Sequence, residues 1–138
     1  MATHFDWTTG PLAEGLHCYR TEKFFEAHEH WEAVWLTLAE PEKSFLQSLV
    51  QISAAFHHLR RGNRIGAISL LSRSIRRLDR SPAHFCGIDV AKLRDEARVW
   101  LYSIEHDSGQ LPAEYPVFEI VARLGTLGDP STNTNAAG

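Results

Sequence analysis

The side chains best suited to chemistry lie between Phe24 and Trp35, in the run FFEAHEHWEAVW. On a helix with Phe24 at 0° and about 100° per residue, Trp31 falls at about 340°, His28 at about 40° and Glu32 at about 80°. His28 therefore faces the same side as the aromatic residues. Burying an imidazole and a carboxylate without partners is unfavourable. The run accordingly predicts either a satisfied polar core or a ligand site.

The spacing of these polar residues is compatible with metal binding. His28 and Glu32 are four apart and Glu29 lies between them, in a pattern similar to the zinc-protease motif H-E-x-x-H with Glu32 in place of the second His. A short turn at Pro41 would make the next helix antiparallel, so that His57 approaches the pair. His28, Glu32 and His57 then form a candidate three-ligand set for a divalent metal such as zinc, iron or manganese, and Glu29 is the base if the protein is an enzyme.

The same three side chains also fit a structural explanation. A buried hydrogen-bond network of His28, Glu32 and His57 would fix the register of two helices without any metal. This explanation is the more frequent one, because most buried polar groups in proteins are simply paired. Trp31 and Trp35 allow the same two interpretations, as the lining of a pocket or as core, and core is the commoner role of such residues.

The elements that position these residues are predicted to be helices. Apolar residues recur at spacings of three and four along most of the chain, and no useful β-type alternation is found, so we predict an all-α single compact bundle of five to six helices. Thr21, Asn63 and Asp89 are the predicted N-caps of the second, fourth and fifth helices. The predicted helices run from Pro11 to about Tyr19, from after Thr21 to about Ala39, from Glu42 to Arg61, from Ile65 to about Leu78, from after Asp89 to before Gly109, and from Val117 to Leu124.

Composition limits the domain organisation and the location. The chain has 138 residues, is 43% hydrophobic and includes four Trp and seven Phe, which suits one domain with a real core. Residues 1–124 are predicted to form that domain, and the small polar residues 125–138 a disordered tail. No apolar run is long enough for a membrane span and no leader is found, so we predict a cytoplasmic protein. Cys18 and Cys86 fit no metal-binding spacing and are predicted to be reduced thiols.

Positive charge is concentrated in one segment. Seven Arg and one Asp lie between Arg60 and Arg80, whereas the whole chain has a net charge of −3. Arg73, Arg76 and Arg77 share one face of the fourth predicted helix, which could bind phosphates or an acidic partner. Nucleic acid is an unlikely partner, because that face lacks aromatic residues for stacking and no nucleic-acid motif is present. A solvated or self-complementary surface is the favoured explanation, since the Glu-rich second helix of another copy could neutralise the arginines and a homo-oligomer is then possible.

A family resemblance adds to this interpretation. The run FFEAHEHWEAVW, then FLQSLVQISAAFHHLRRGN from Phe45, then Gly66-Ala67, resembles the bacterial, archaeal and plastid family catalogued as domain of unknown function 309, over about residues 12 to 104. Ser48 stands where the family usually has Gly, which could loosen a close helix crossing. The family's signature positions fall on His28, Glu29, Glu32, Trp35, Gln51, His57, Gly62 and Asn63, and Gly87 and Asp89 match its Gly-x-Asp.

The resemblance implies a compact helical bundle and no established activity. The resemblance and the residue spacing together indicate one polar cluster. Its members are His28, Glu29, Glu32, Gln51 and His57. Three functional hypotheses follow from the sequence. The first is a cytoplasmic helical protein whose buried polar cluster orders the core and binds a metal or a small ligand. The second is a metal-dependent, hydrolase-like enzyme, and the third is an interaction module that uses the arginine face.

Overall fold

The computed structural model describes residues 5–106 and 109–121, which contain five α-helices and one short antiparallel hairpin. The predicted all-α class is confirmed, and the helices form a compact bundle. The helices are α1 (Gly10–Arg20), α2 (Phe24–Trp35), α3 (Glu42–Arg60), α4 (Arg64–Asp79) and α5 (Val90–His106), and the hairpin pairs β1 (His84–Phe85) with β2 (Ile88–Asp89).

The central helix of the bundle is α3, as its wide apolar stripe predicts. Phe45, Leu49, Ile52 and Phe56 recur at spacings of three and four and are buried on one side of it. Helices α2 and α4 pack against its two flanks, α1 packs against α2, and α5 packs against α4. The five helices therefore follow one another around a shared core, and the opposite side of α3 is turned away from that core.

The second predicted helix differs from the structure at both ends. Thr21 was expected to cap α2, but its hydroxyl donates to backbone carbonyls in the last turn of α1 and so ends that helix. At the other end α2 stops at Trp35 rather than at about Ala39. The hydroxyl of Thr37 donates to the carbonyl of Val34 at 2.7 Å, a local hydrogen bond that competes with continuation of the helix.

The caps of α4 and α5 match the prediction, and the loop between these helices contains the hairpin. The side chain of Asn63 accepts from the backbone N–H of Gly66, and that of Asp89 accepts from the backbone N–H of Lys92. Between β1 and β2, Cys86 and Gly87 have φ angles of 53° and 81°. Positive φ at both residues gives the tight two-residue turn that suits the twist of a hairpin.

The predicted helix from Val117 to Leu124 is wrong for residues 117–121, which are extended. Ile120 forms a bridge with Ile88, and the N–H of Asp89 donates to the carbonyl of Glu119. Phe118 is buried whereas Val117 and Glu119 are exposed, an alternation typical of a strand. Residues 122–124 of the predicted helix and the predicted tail of 125–138 lie outside the described residues.

Both ends of the described chain reach the hairpin turn. The indole N–H of Trp7 donates to the carbonyl of Cys86 at 2.7 Å, and the N–H of Val121 donates to the carbonyl of Gly87 at 2.9 Å. None of the helices within residues 5–106 and 109–121 combines the length and the apolar character that crossing a membrane requires.

Candidate functional site

His28 and Glu32 lie on the surface of α2 rather than inside the core. His28 Nε2 is 3.7 Å from Glu32 Oε1, and the side chains are 25% and 49% exposed. The predicted i, i+4 pairing is therefore present. The expectation that this pair is buried is wrong for Glu32, which is half exposed, and holds only in part for His28.

His28 and Glu32 lie at the surface because a different face of α2 packs against the core. Phe24, Ala27 and Trp31 are the buried residues of this helix, and Ala27 is fully buried. Ala27 lies about 100° from His28 around the helix, so it shifts the buried face away from His28 and further from Glu32. A helical-wheel projection that is centred only on the large aromatic residues does not take this small buried side chain into account.

His57 reaches the same region from α3, but an aromatic ring lies beside both histidines. The Phe25 ring centroid is 5.2 Å from that of His57 and 5.9 Å from that of His28. Among residues 5–106 and 109–121, no three His, Cys, Asp or Glu side chains are arranged to hold a metal ion. His28, Glu32 and His57 thus do not form the predicted three-ligand arrangement in this structure.

The other members of the predicted polar cluster lie elsewhere. Glu29 is exposed on the outer side of α2. Gln51 is buried and lies on the flank of α3 that faces α4, because it follows Ser48, whose carbonyl accepts from Ser74 of α4, by one turn. The five residues therefore do not make a single cluster. Ser48 itself causes no gap, since its hydroxyl donates to the carbonyl of Phe45 within α3.

Three buried polar atoms in this part of the bundle have no hydrogen-bond partner among the described residues: His28 Nδ1, Trp35 Nε1 and Gln51 Oε1. All three belong to α2 or α3. Such atoms are uncommon in folded proteins and call for an explanation.

The two tryptophans of α2 have different roles. Trp31 is fully buried, and its indole N–H donates to the carbonyl of Leu12 at 3.1 Å, so its interpretation as core is confirmed. Trp35 is half-buried, with the ammonium of Lys43 4.8 Å from its ring centroid. Trp35 therefore covers the side of the core rather than filling it.

A cleft of about 400 Å³ lies where the start of α2 meets the end of α3. Its walls combine exposed aromatic surface with charged groups. Of the predicted polar cluster, His57 lines this cleft and His28 lies next to it through Phe25. The lining residues are Glu22, Lys23, Phe24, Phe25, Glu26, His57, Arg60 and Arg61.

The charged side chains that line the cleft are Lys23, Arg60 and Arg61 with Glu22 and Glu26, so their sum is a single positive charge, to which the start of α2 adds partial positive charge. Helix α2 has no capping side chain, and the N–H groups of Phe24, Phe25 and Glu26 have no backbone acceptor among the described residues. Arg60 is fixed at the rim, where it donates to the carbonyl of Glu22 at 3.0 Å and lies 5.7 Å from the ring centroid of Phe24.

The electrostatic state of His57 reflects this setting. Partial burial lowers the pKa of His57 below its usual value, and the charges of Arg61, His58 and His28 lower it further, while Glu26 acts in the opposite direction. The imidazole is therefore neutral at neutral pH and offers a flat face and a hydrogen-bonding nitrogen to the cleft.

The predicted arginine face is present on α4. Arg73 and Arg76 are exposed and have no ion pair among the described residues, while Arg77 donates to the hydroxyl of Ser44 at 3.4 Å. Two other arginines of this segment are used within the fold. Arg64 donates to the carbonyls at the end of α5, and Arg60 binds at the cleft as described above.

Spacing along one helix does not reveal most of the cleft. Lys23 and Phe25 are not among the candidate site residues, and Arg60 and Arg61 enter the sequence analysis only through the basic segment from Arg60 to Arg80, although the sequence contains a signal for all four. An aromatic pair at the start of one predicted helix and two arginines at the end of the next meet when the helices are antiparallel. Only the actual register of the helices shows that they enclose a cavity.

A family comparison agrees with the resemblance drawn from the sequence. Residues 12–70 match the family model described as "Domain of unknown function (DUF309)", which confirms the resemblance over that stretch. The matched stretch contains α1 to the first half of α4, including the cleft and the His28–Glu32 pair, and ends before Gly87 and Asp89. No curated protein matches the chain.

Proposed function

We propose that this protein binds a small anionic ligand in the cleft between the start of α2 and the end of α3. The observation that carries the proposal is the convergence of Lys23, Arg60 and Arg61 with the exposed ring of Phe25 around about 400 Å³ of space. Pockets of 300 to 1,000 Å³ that combine apolar walls with a few directed polar groups are typical of small-molecule sites.

The net charge of the rim favours an anion, because three cationic side chains outnumber the carboxylates of Glu22 and Glu26. Glu22 and Arg60 largely neutralise each other, because their side chains form an ion pair with an Nη1–Oε1 distance of 3.4 Å. Arg61 has no side-chain partner among the described residues and supplies a planar guanidinium suited to phosphate or carboxylate. The unpaired N–H groups at the start of α2 add partial positive charge at the same place.

The aromatic wall favours a ligand with a planar apolar part. The Phe25 side chain is 46% exposed, and its ring centroid lies 5.2 Å from that of His57, with the two ring planes tilted by 45°. A neutral imidazole there can accept or donate a hydrogen bond without the cost of burying a charge. The ligand class is therefore a planar ring that bears a phosphate or carboxylate group.

His28 and Glu32 support this wall in the proposal rather than bind the ligand. The His28 ring stacks on Phe25 with an interplanar angle of 28°, and Glu32 lies on the other side of His28 at 3.7 Å. The pair limits the rotamers of Phe25 and keeps its exposed ring beside the cleft. Loss of His28 is expected to weaken binding less than loss of Phe25.

The test is a binding titration with phenyl phosphate, followed by NMR and calorimetry. We expect saturable binding with shifts of the His57 and Phe25 signals, and inorganic phosphate alone is expected to bind about tenfold or more weakly. Arg61→Ala should abolish most of the affinity. The matched control Arg76→Ala removes an exposed arginine outside the cleft and should leave the affinity unchanged. Equal loss of affinity in both variants, or no shift of the cleft residues, would contradict the proposal.

A cytoplasmic location is part of the same proposal. Cys18 and Cys86 are unpaired thiols, which suits a reducing compartment. Burial raises the pKa of Cys86 to about 12, so this thiol is unreactive and compatible with a purely structural role. Fractionation of cells that produce the untagged protein tests the location, and recovery in an extracytoplasmic fraction would overturn it.

A further inference from the structure

The outer side of α3 is flanked by ridges of opposite charge. We call Glu29 and Glu32 of α2 the acidic ridge, and Arg73, Arg76 and Arg77 of α4 the basic ridge. Glu29, Arg73 and Arg76 have no ion pair among the described residues, and Glu32 has only His28. Helix α2 contacts α3 at Lys43 and His57, and α4 contacts it at Ser44 and Ser48, which lie roughly 140° further around α3, so the two ridges flank the strip of α3 between these contacts.

Contacts along α3 place the two ridges at the same level. On one flank Phe25 contacts His57 and Trp35 contacts Lys43, so Glu32 lies beside about residue 48 of α3. On the other flank Ser74 donates to the carbonyl of Ser48, so Arg73 lies at the same level to within about one residue, or ~1.5 Å along the helix.

From this arrangement we propose that a second copy of this chain docks on the face formed by α2, α3 and α4, with a two-fold axis along α3. Rotation by 180° about such an axis places the α2 flank of one copy against the α4 flank of the other. Each residue keeps its height along α3 in this rotation. The acidic ridge of each copy then meets the basic ridge of the other, and Glu32 faces Arg73 of the second copy twice in one dimer. An axis across α3 would instead set like charges against each other.

The middle of the face permits close approach. The outer side of α3 carries Gln47 and Ala54 there, which are uncharged, half-buried and of modest size, whereas Val50 beside them is buried in the core.

The size of the face suits a modest dimer. Three helices of 12, 19 and 16 residues side by side present roughly 650 Å² per copy, given a rise of ~1.5 Å per residue and a spacing of ~9 Å. The total of about 1,300 Å² is at the lower end of stable interfaces. Because four or more charged side chains of each copy take part, the association is expected to weaken with salt.

The experiment is sedimentation equilibrium of the full chain at low salt and at about 0.5 M salt. We expect a dimer at low salt and a dissociation constant at least about tenfold higher at high salt. Glu32→Lys and Arg73→Glu should each raise the dissociation constant about tenfold or more, and the double variant should return it to within about threefold of the original value, because the swapped charges attract again. These positions do not line the cleft, so a failure here leaves the ligand proposal untouched.

The sedimentation experiment needs a control variant and a check of folding. Glu105→Lys, an exposed change near the end of α5, should leave the dimer unchanged, and circular dichroism should show that each variant is folded. A monomer at low salt, an open-ended polymer, or a dimer that neither single variant weakens would overturn the proposal. So would a failure of the double variant to recover, or a monomer whose Arg73 binds a nucleic acid duplex instead.

Discussion

The ring of Tyr19 in α1 stacks on that of Phe118 in the C-terminal segment, with centroids 4.3 Å apart and planes 12° from parallel. The hydroxyl of Tyr19 also donates to the carbonyl of Pro116 at 2.7 Å. The extended segment therefore closes the core through an aromatic contact and a buried hydrogen bond.

We expect Phe118→Ala to destabilise the protein by about 3 kcal/mol, because it leaves a cavity against Tyr19 and Trp31. Urea denaturation followed by tryptophan fluorescence measures the change. Val117→Ala is the matched control, since Val117 is the exposed neighbour and should cost less than about 1 kcal/mol. Equal losses in the two variants would show that the segment is not part of the core.

The lowered pKa of His57 predicts a dependence of stability on pH. The pKa of His57 is below its usual value in the folded state and near that value in the unfolded state. At pH values between these two pKa values, the unfolded chain therefore binds more protons than the folded protein. The contribution of His57 to the free energy of unfolding is therefore constant above the unfolded pKa and decreases as the pH falls below it. His57→Gln should flatten this part of the profile in denaturation series at several pH values.

A direct titration provides the control for that prediction. NMR of the imidazole protons should give His57 a lower pKa in the folded protein than in the urea-unfolded protein. Addition of the anionic ligand should raise the pKa of His57, because a nearby negative charge favours the protonated form. A folded-state pKa of His57 at or above its value in the unfolded protein would contradict the environment described here.

Added metal should have little effect on stability. His28 Nε2 and Glu32 Oε1 offer two ligands, and among the described residues no third His, Cys, Asp or Glu is arranged to complete a metal site with them. A two-ligand site is weak, so we expect zinc, iron or manganese at low micromolar concentration to change the melting temperature by less than about 1 °C. A larger rise that disappears in His28→Ala would show that the three side chains rearrange into the predicted metal centre.

The helices could be predicted from the sequence because their signals are local. The stripe of α3, the glycine break at Gly62 and the caps Asn63 and Asp89 depend on residues within one or two turns of each other, and all are found in the structure. The C-terminal segment was mispredicted because it is stabilised by distant partners. Ile120 pairs with Ile88, and Phe118 fills a space beside Tyr19 that no local pattern reveals.

The candidate site was predicted only in part for a related reason. The sequence places His28 and Glu32 together correctly, since their spacing on one helix decides it. Whether His57 joins them depends on how α2 and α3 rotate against each other. Ala27 is fully buried and Phe25 lies beside both histidines; these features reflect that rotation, but a search for polar groups does not consider either residue.

The hairpin turn at Cys86 and Gly87 receives a hydrogen bond from Trp7 near one end of the chain and from Val121 near the other. The described polypeptide thus runs in an almost closed circuit, and Trp7 and Val121 meet at one turn although more than a hundred positions separate them. A short linker between positions near these two residues would close the circuit covalently, and the exposed bend at Gly62 would then be a natural place to open a circularly permuted version of the same bundle.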